Sequence, residues 1–418
     1  MAFERIGIRP AQILLPAPGV KPETWACIAC DQYTSEPEYW QKAFAAAGDA
    51  PSAIRLILPE YDLKNSETLI PQIHQAMADY LAKGLLVPAV DPGFILCERT
   101  VASGTRLGLV CAVDLEEYSF EKGSLPLIRP TEQTITDRLP PRLKIRRGAP
   151  VELTHIMILI DDPDRTVLEP LQAAKASLRK VYDFDLMMGG GHLAGWAVDG
   201  EETLAQLDRS MNALLDTKGE HPLFLAVGDG NHSLATAKAY WNEIREGLTD
   251  AERENHPARF ALCEIVNIHD EALLFEPIYR IVTGVNRMEI MTDWKQYAAS
   301  RGMLLQRKGE GHRFTVVSAD GEGTVVVKNP EGAIPCETIQ KFLDDFLSRH
   351  PDAGIDFIHG EGSLRTLASK PGTVGFLLPE IDKYSFFEDV KKLGVLPRKT
   401  FSMGEADEKR FYMEAKRI

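Results

Sequence analysis

Apolar side chains at Leu69, Ile70, Ile73, Met77, Tyr80 and Leu81 recur at the spacing of one helical face, with Gly84 placed to end it. Residues 66–83 are therefore expected to form a packed surface helix. The period then shortens. Phe94–Val101 and Leu107–Val113 have strand composition and flank Ala102-Ser103-Gly104-Thr105, a stretch with the length and glycine content of a hairpin loop. A further strand is expected over Thr154–Ile160, stopped at Asp161-Asp162-Pro163, with a helix from near Val167 through Leu171, Ala174 and Leu178. Next come a helix around 201–216, a strand at Leu223–Val227 and a helix over 234–246. The polar run Asp250–Pro257 reads as a boundary or exposed loop. Beyond it the pattern predicts strands at 259–268, 313–318, 323–328 and 373–378 and a helix around 337–349, with no internal repeat. The expected class is α+β, a mixed α/β chain in two regions, 1–250 and 258–418. The second is an α/β portion, either separate or packed into the same sheet system.

Composition narrows the choices. A chain of 418 residues with 44% hydrophobic and 26% charged side chains can bury two or three cores, at roughly 100–200 residues per domain. Its 61 acidic and 47 basic side chains give a net charge of −14, a field that repels polyanions and argues against nucleic acid or an anionic membrane as partner. The basic run Arg138–Arg147 reads as a solvated loop leading into a strand. The first residues read as neither a signal peptide nor an anchor, and no apolar run approaches the about 18 residues a membrane helix needs. Six scattered cysteines fit a reduced compartment, the cytoplasm. Cys27 and Cys30 form a lone Cys-x-x-Cys without the two further ligands zinc requires, so they read as buried structural cysteines, and no metal site is assigned to side chains alone.

The stretch Gly228-Asp229-Gly230-Asn231-His232-Ser233 lies between a buried strand and a helix. Glycines there let a ligand approach the backbone, while first-turn amides and the positive end of the helix dipole favour an anion such as phosphate or carboxylate. Asp229 suits a metal or a hydroxyl proton, and His232 suits proton transfer or donation to phosphate. The competing reading is a tight turn in which Asp229 and Asn231 bond their own backbone. A second constellation joins Glu132 to Arg129, Asp137 and Arg138, a carboxylate to orient an acceptor hydroxyl beside cations for phosphoryl charge; the competing reading is a capped loop with surface ion pairs. Asp31 and Tyr33, in the cluster Asp31-Gln32-Tyr33-Thr34, are candidate substrate contacts, and Ser35 with Glu38 reads as a capping box before Tyr39, Trp40 and Phe44. Gly189-Gly190-Gly191-His192 lacks the lysine of a P-loop and reads as a mobile turn. The Leu396–Gly404 segment suits either closure over an anion or packing of the terminus.

The 228–233 run resembles the Asp-Gly-His-His-Arg signature of the bacterial family called domain of unknown function 1015. Further stretches agree in order over essentially the whole chain: Ala29–Ser35, Arg106–Val110 with Asp114, Arg129–Glu132 with Asp137 and Arg138, and Leu396–Thr400. More distantly the signature is similar to the phosphate-binding box of the ParB/sulfiredoxin superfamily, which includes CTP-hydrolysing partition proteins, ATP-dependent sulfiredoxins and free-serine kinases. That resemblance implies a ParB/sulfiredoxin-like nucleotide-binding core, elaborated with extra strands and helices, over 1–250. Two departures stand out: Asn231 replaces the first histidine and Ser233 the arginine, so the bidentate clamp arginine gives phosphate is missing, and Arg129 or Arg280 is a candidate substitute.

The function expected is a nucleotide-dependent phosphotransferase or nucleotide hydrolase acting on a small hydroxylated metabolite, with Mg²⁺ and ATP, ADP or CTP. Asp229, His232 and Glu132 are the catalytic candidates, Gly228, Gly230, Asn231 and Ser233 would bind nucleotide, and Asp31, Tyr33, Arg129 and Arg138 would bind substrate. The alternatives are a non-catalytic nucleotide-binding switch of partition-protein type and a binder of a small carboxylate or sugar phosphate. Expected partners are a small-molecule or nucleotide ligand, with a homodimer left open.

Overall fold

The computed structural model describes residues 2–135, 139–397 and 399–418. The class is mixed α+β, and the chain forms two compact units, Met1–Leu274 with Gly404–Ile418 and Phe275–Met403. The run expected to mark a boundary near 250–257 is the helix Asp250–Asn255 and a short 3-10 turn within the first unit. Thr249 and Glu252 close that helix with a capping box, and the strand that follows, Phe260–Asn267, is buried throughout.

A 12-stranded mixed sheet organises the first unit. At one end Ile128–Pro130 runs parallel to Leu225–Asp229, the site strand, which is antiparallel to Met157–Ile160; that strand in turn is parallel to Phe260–Asn267. The sheet continues through Gly104–Asp114 and Leu86–Val101, which form the expected hairpin, to Ala11–Pro16, Ala415–Arg417 and Val151–Leu153. Central strands are covered on both faces, which is why Leu225, Ala226 and Val227 form an unbroken apolar run with no exposed surface. The helix Glu201–Asp216 buries Leu204, Leu207, Met211, Leu214 and Leu215, a three-and-four spacing that lays one face on the sheet.

Four local expectations change. The strand expected over Thr154–Ile160 begins only at Met157, with Val151–Leu153 a separate strand before it, because the Ile156 amide donates to Thr154 Oγ1 (3.1 Å), a local bond that competes with the ladder and leaves His155 off it. The glycine turn at 189–191 joins a hairpin of Arg179–Asp185 and His192–Val198; Gly195 in it has no side chain because a Cβ would meet the Tyr182 ring at 2.2 Å. The basic run is the helix Leu139–Arg146, with Pro140 and Pro141 in its first turn, where no amide bond is lost. Its cations are paired: Lys144 with Glu67 (2.6 Å), Arg146 with Glu152 (2.6 Å) and Arg142 with Glu60. The helix Pro37–Ala47 opens at Pro37 without a side-chain cap from Glu36, so Ser35 and Glu38 form no capping box there. Among the described residues no helix is long and apolar enough to cross a membrane.

The second unit is a six-stranded antiparallel sheet, Leu304–Gln306, Gly321–Lys328, His312–Ser318, Thr373–Leu377, Tyr279–Thr283 and Gly354–Ile358 in order. Pro335–Arg349 and Arg287–Ser300 pack an aromatic core in which Trp294 stacks on Phe342 at 5.2 Å. Separately, Phe401–Met403 pairs with Phe275–Pro277, so this part of the Leu396–Gly404 segment packs as a strand.

Candidate functional site

The site strand ends in an irregularity. Val227 pairs with Ile158 and Asp229 with Met157, so Gly228 is a bulge, and the ladder shift sets Asp229 at the strand's end, a quarter exposed. Gly230 follows in the left-handed region at φ +77, and a Cβ there would lie 3.0 Å from Ile156 Cα, so glycine is required by conformation and by space. The helix Asn231–Arg245, the site helix, starts on it with no side-chain cap. First-turn amides have no carbonyl one turn earlier to receive them, so the Asn231 and Ser233 N–H groups stand at the positive end of this helix.

The side chains of the turn divide between internal ties and the opening. Asp229 Oδ1 accepts from the Gly230 amide at 2.9 Å, the local bond expected of a tight turn. Asn231 Oδ1 accepts from the Thr131 amide (3.2 Å), Thr131 Oγ1 donates to the Val227 carbonyl (2.6 Å), and His232 Nε2 accepts from the Ile135 amide (3.4 Å). These bonds lash residues 131–135, including the partly buried Glu132, along the first helical turn. Asn231 and His232 thus use side-chain atoms to hold a neighbouring segment as well as facing the turn.

Three residues that sequence reasoning missed complete the site. Lys409 Nζ stands 3.2 Å from Asp229 Oδ2, and His155 Nε2 is 3.1 Å from Ser233 Oγ. Tyr412 oxygen is 2.7 Å from His155 Nδ1 and accepts from the Cys30 amide at 3.4 Å. Burial pushes the Asp229 carboxyl up, but Lys409, His155 and the Gly230 amide outweigh it and hold it below the usual carboxylate range. The position where an arginine was expected therefore holds a serine backed by a buried histidine. His155 carried one faint signal, a histidine entering an apolar run after threonine. Lys409 and Tyr412 carried none, since nothing local announces that the terminal segment returns to this unit.

The remaining candidates lie as follows. Arg129 is buried and donates to the carbonyls of Pro126 (2.9 Å) and His221 (2.9 Å), so it braces a loop. Arg280 belongs to the second unit, fully buried, with Nη2 3.0 Å from Cys336 Sγ and Nε 3.2 Å from Gln340 Oε1; neither arginine is shown to replace the missing clamp. Asp137 and Arg138 lie outside the described residues, as does Arg398. Asp31 accepts from Gln32 Nε2 (3.0 Å), and Tyr33, at φ +51, stacks on Tyr39 with centroids 3.8 Å apart. Burial pushes the Cys30 thiol up to about 12, well away from a reactive thiolate.

One residue beyond Lys409, Arg410 enters a buried charge network. Its Nε donates to Glu264 (2.7 Å) and its Nη2 to Glu414 (2.7 Å), while Tyr182 donates to Glu414 at 2.5 Å. Arg99 and Arg106 border the same spot, a void of about 10 Å³.

A family model described as "Protein of unknown function (DUF1015)" matches residues 8–346. No curated protein matches the sequence. Among solved structures, a free serine kinase mutant in complex with AMP is 13% identical, with a TM-score of 0.41 over 73% of this chain and 90% of that one. The same kinase in complex with ADP gives 12% identity and a TM-score of 0.40 over 73% and 91%. SbnI with a C-terminal truncation, from Staphylococcus aureus, gives 9% and 0.39 over 72% and 85%.

Proposed function

Starting from the fact that the chain belongs to the family of unknown function DUF1015, whose model spans the site strand, its turn and its helix, we propose that the 228–233 turn binds the phosphates of a nucleotide. The protein then acts as a nucleotide-dependent phosphotransferase or hydrolase on a small hydroxylated metabolite. The observation that carries the reading is a left-handed Gly230 opening an uncapped helix between Lys409 and the Ser233–His155–Tyr412 chain. Backbone amides receive phosphate oxygens, Lys409 adds a cation, and Ser233 offers a hydroxyl where arginine was absent. A ParB/sulfiredoxin-like ancestry of this turn belongs to the same proposal.

The roles of the carboxylates follow from their settings. Asp229, held below the ordinary carboxylate range, stays ionised at neutral pH and is a weak proton acceptor, so it serves charge placement and not base catalysis. One carboxylate beside phosphates is a fitting ligand set for Mg²⁺, which takes most of its ligands from phosphate and water; Asp229 would hold it, and the ion would neutralise phosphoryl charge. Glu132, on the segment tied to the first helical turn, is the candidate to orient the acceptor hydroxyl. The nearby bond from Ile135 places the neutral His232 proton on Nδ1.

The bonds from Asn231 and His232 to residues 131–135 favour a second reading, a non-catalytic switch in which occupancy of the turn moves that segment. Incubation with ATP, ADP or CTP plus small hydroxylated acceptors separates the two. Phosphorylated product or released phosphate supports the enzyme, saturable binding without turnover supports the switch, and no binding of any nucleotide removes both.

A further inference from the structure

Beside the first turn of the site helix lies a cavity of about 150 Å³. Most of its lining residues are aliphatic, among them Leu58, Met77, Ile145 and Leu262. An apolar cavity of about this volume holds a molecule the size of benzene, so its occupant has on the order of six to eight heavy atoms.

The charges at the wall decide against a charged occupant. Arg142 faces Glu60, and Arg146 donates to Glu152 through Nη2 at 2.6 Å. Glu152 also accepts from the Leu262 amide (2.8 Å) and lies 3.5 Å from Lys416. These lining side chains are therefore already met by opposite charge from the protein itself. A charged occupant would give up its water for groups whose charge is answered, whereas a neutral one gives up far less.

The hydroxyls at the wall decide the polar end. Thr236 donates to the His232 carbonyl (2.7 Å), one turn back along the site helix, and the Tyr412 oxygen is engaged by the Cys30 amide (3.4 Å) and by His155 Nδ1 (2.7 Å). Ser233 Oγ meets His155 Nε2 at 3.1 Å, and either direction of that bond leaves the serine one role unspent. Where the imidazole donates, the Ser233 hydrogen is left to give; where the serine donates, its lone pairs are left to receive. A hydroxyl group on the occupant answers both arrangements, because it donates and accepts; a carbonyl or an ammonium answers only one.

We infer that this cavity binds a small uncharged alcohol of about five to seven carbons, its hydroxyl against Ser233 and its carbon body against the aliphatic wall. The hydroxyl then lies beside the turn proposed to hold phosphate, which makes such an alcohol the acceptor class of the proposed reaction. That role rests on the phosphotransferase reading; the binding does not.

Calorimetric titration of the full chain with n-pentanol, with pentanoate and pentylammonium as charged analogues of like size, and separately with ADP tests the inference. Pentanol should bind saturably in the millimolar range, and each charged analogue at least tenfold more weakly. Ser233→Ala should weaken pentanol binding several-fold. Ile145→Phe, a substitution at a half-buried lining residue, should fill the cavity and abolish pentanol binding while ADP binding persists. No saturable pentanol binding, a charged analogue bound as tightly as pentanol by the wild-type chain, or pentanol binding unchanged in either variant would overturn the inference. The wild-type comparison stands even if a variant fails to fold. Pentanol binding with no ADP binding sinks the nucleotide reading and leaves this one; ADP binding without pentanol binding does the reverse.

Discussion

Lys409 and Arg410 are consecutive residues, and the two places they reach differ in kind. Arg410 enters a closed network: Glu264 and Glu414 take its donors, Tyr182 caps Glu414, and the space left is about 10 Å³, room for about one water. Lys409 meets a quarter-exposed Asp229 at a helix start, beside a serine that borders a cavity of about 150 Å³. In the first place three arginines meet two carboxylates with almost no space left, and the Nε atoms of Arg99 and Arg106 have no hydrogen-bond partner among the described residues; burial brings Arg99 down to about 9, with Arg106 adding to the effect. In the second, the site helix starts without a side-chain cap beside a roomier cavity. The lesson is that neither a buried ion pair nor an unpartnered buried donor alone marks a site; an uncapped helix start beside a cavity is the feature that separates the two.

The comparison breaks most sharply through stability. Arg410→Met leaves Glu264 and Glu414 buried without their cation and should cost about 3–5 kcal/mol, whereas Lys409→Met, beside a partly solvated Asp229, should cost only about 1–2 kcal/mol. Denaturant midpoints that rank the two in the opposite order would falsify the closed-versus-open distinction.

Acid sharpens it next. Burial raises the Glu264 carboxyl, but Arg106 and Arg410 hold it below its ordinary value, and Glu152 and Asp229 are held low in the same way. A carboxyl depressed in the folded state contributes stability above its unfolded value, about 4, and loses it as pH falls through the folded value. Urea midpoints should therefore drop from about pH 5 downward, and Arg410→Met should flatten that drop because Glu264 loses its reason to stay ionised.

Smaller effects belong to the open site. Gly230→Ala must hold a left-handed φ and crowd Ile156, at a cost of about 1–2 kcal/mol, and should weaken ADP binding at least tenfold by blocking the approach. Ser233→Ala leaves the buried His155 Nε2 without its partner, so it should cost about 1 kcal/mol, and it should weaken ADP binding only a few-fold, since it removes one donor among several. Both are read by thermal denaturation and titration.

Much of the fold was legible where one residue's environment is decided by near neighbours. The faces of residues 66–83, 201–216 and 337–349 follow from helical period, and Gly230 with its strand and helix followed from turn chemistry. Legibility failed where distant chain decides. His192–Val198 is apolar because it lies between two other strands, which Gly195 and the glycines just before the strand disguised. Leu139–Arg146 reads as loop until Glu60, Glu67 and Glu152 are brought to its cations. At the site the backbone half was readable, and the partner half was not: Lys409 and Tyr412 arrive from the far end of the chain, and His155 is aimed by a Thr154 bond that no periodicity encodes.

The account rests on main-chain donors at the start of the site helix gripping anionic oxygen. Amide resonances of the full-length protein followed during titration with ADP test this residue by residue. The predicted result is saturable shifts centred on Gly230, Asn231, His232 and Ser233, with Lys409 responding and the Arg410 network silent. Saturation with shifts confined elsewhere, or no shifts at millimolar ADP, would contradict it.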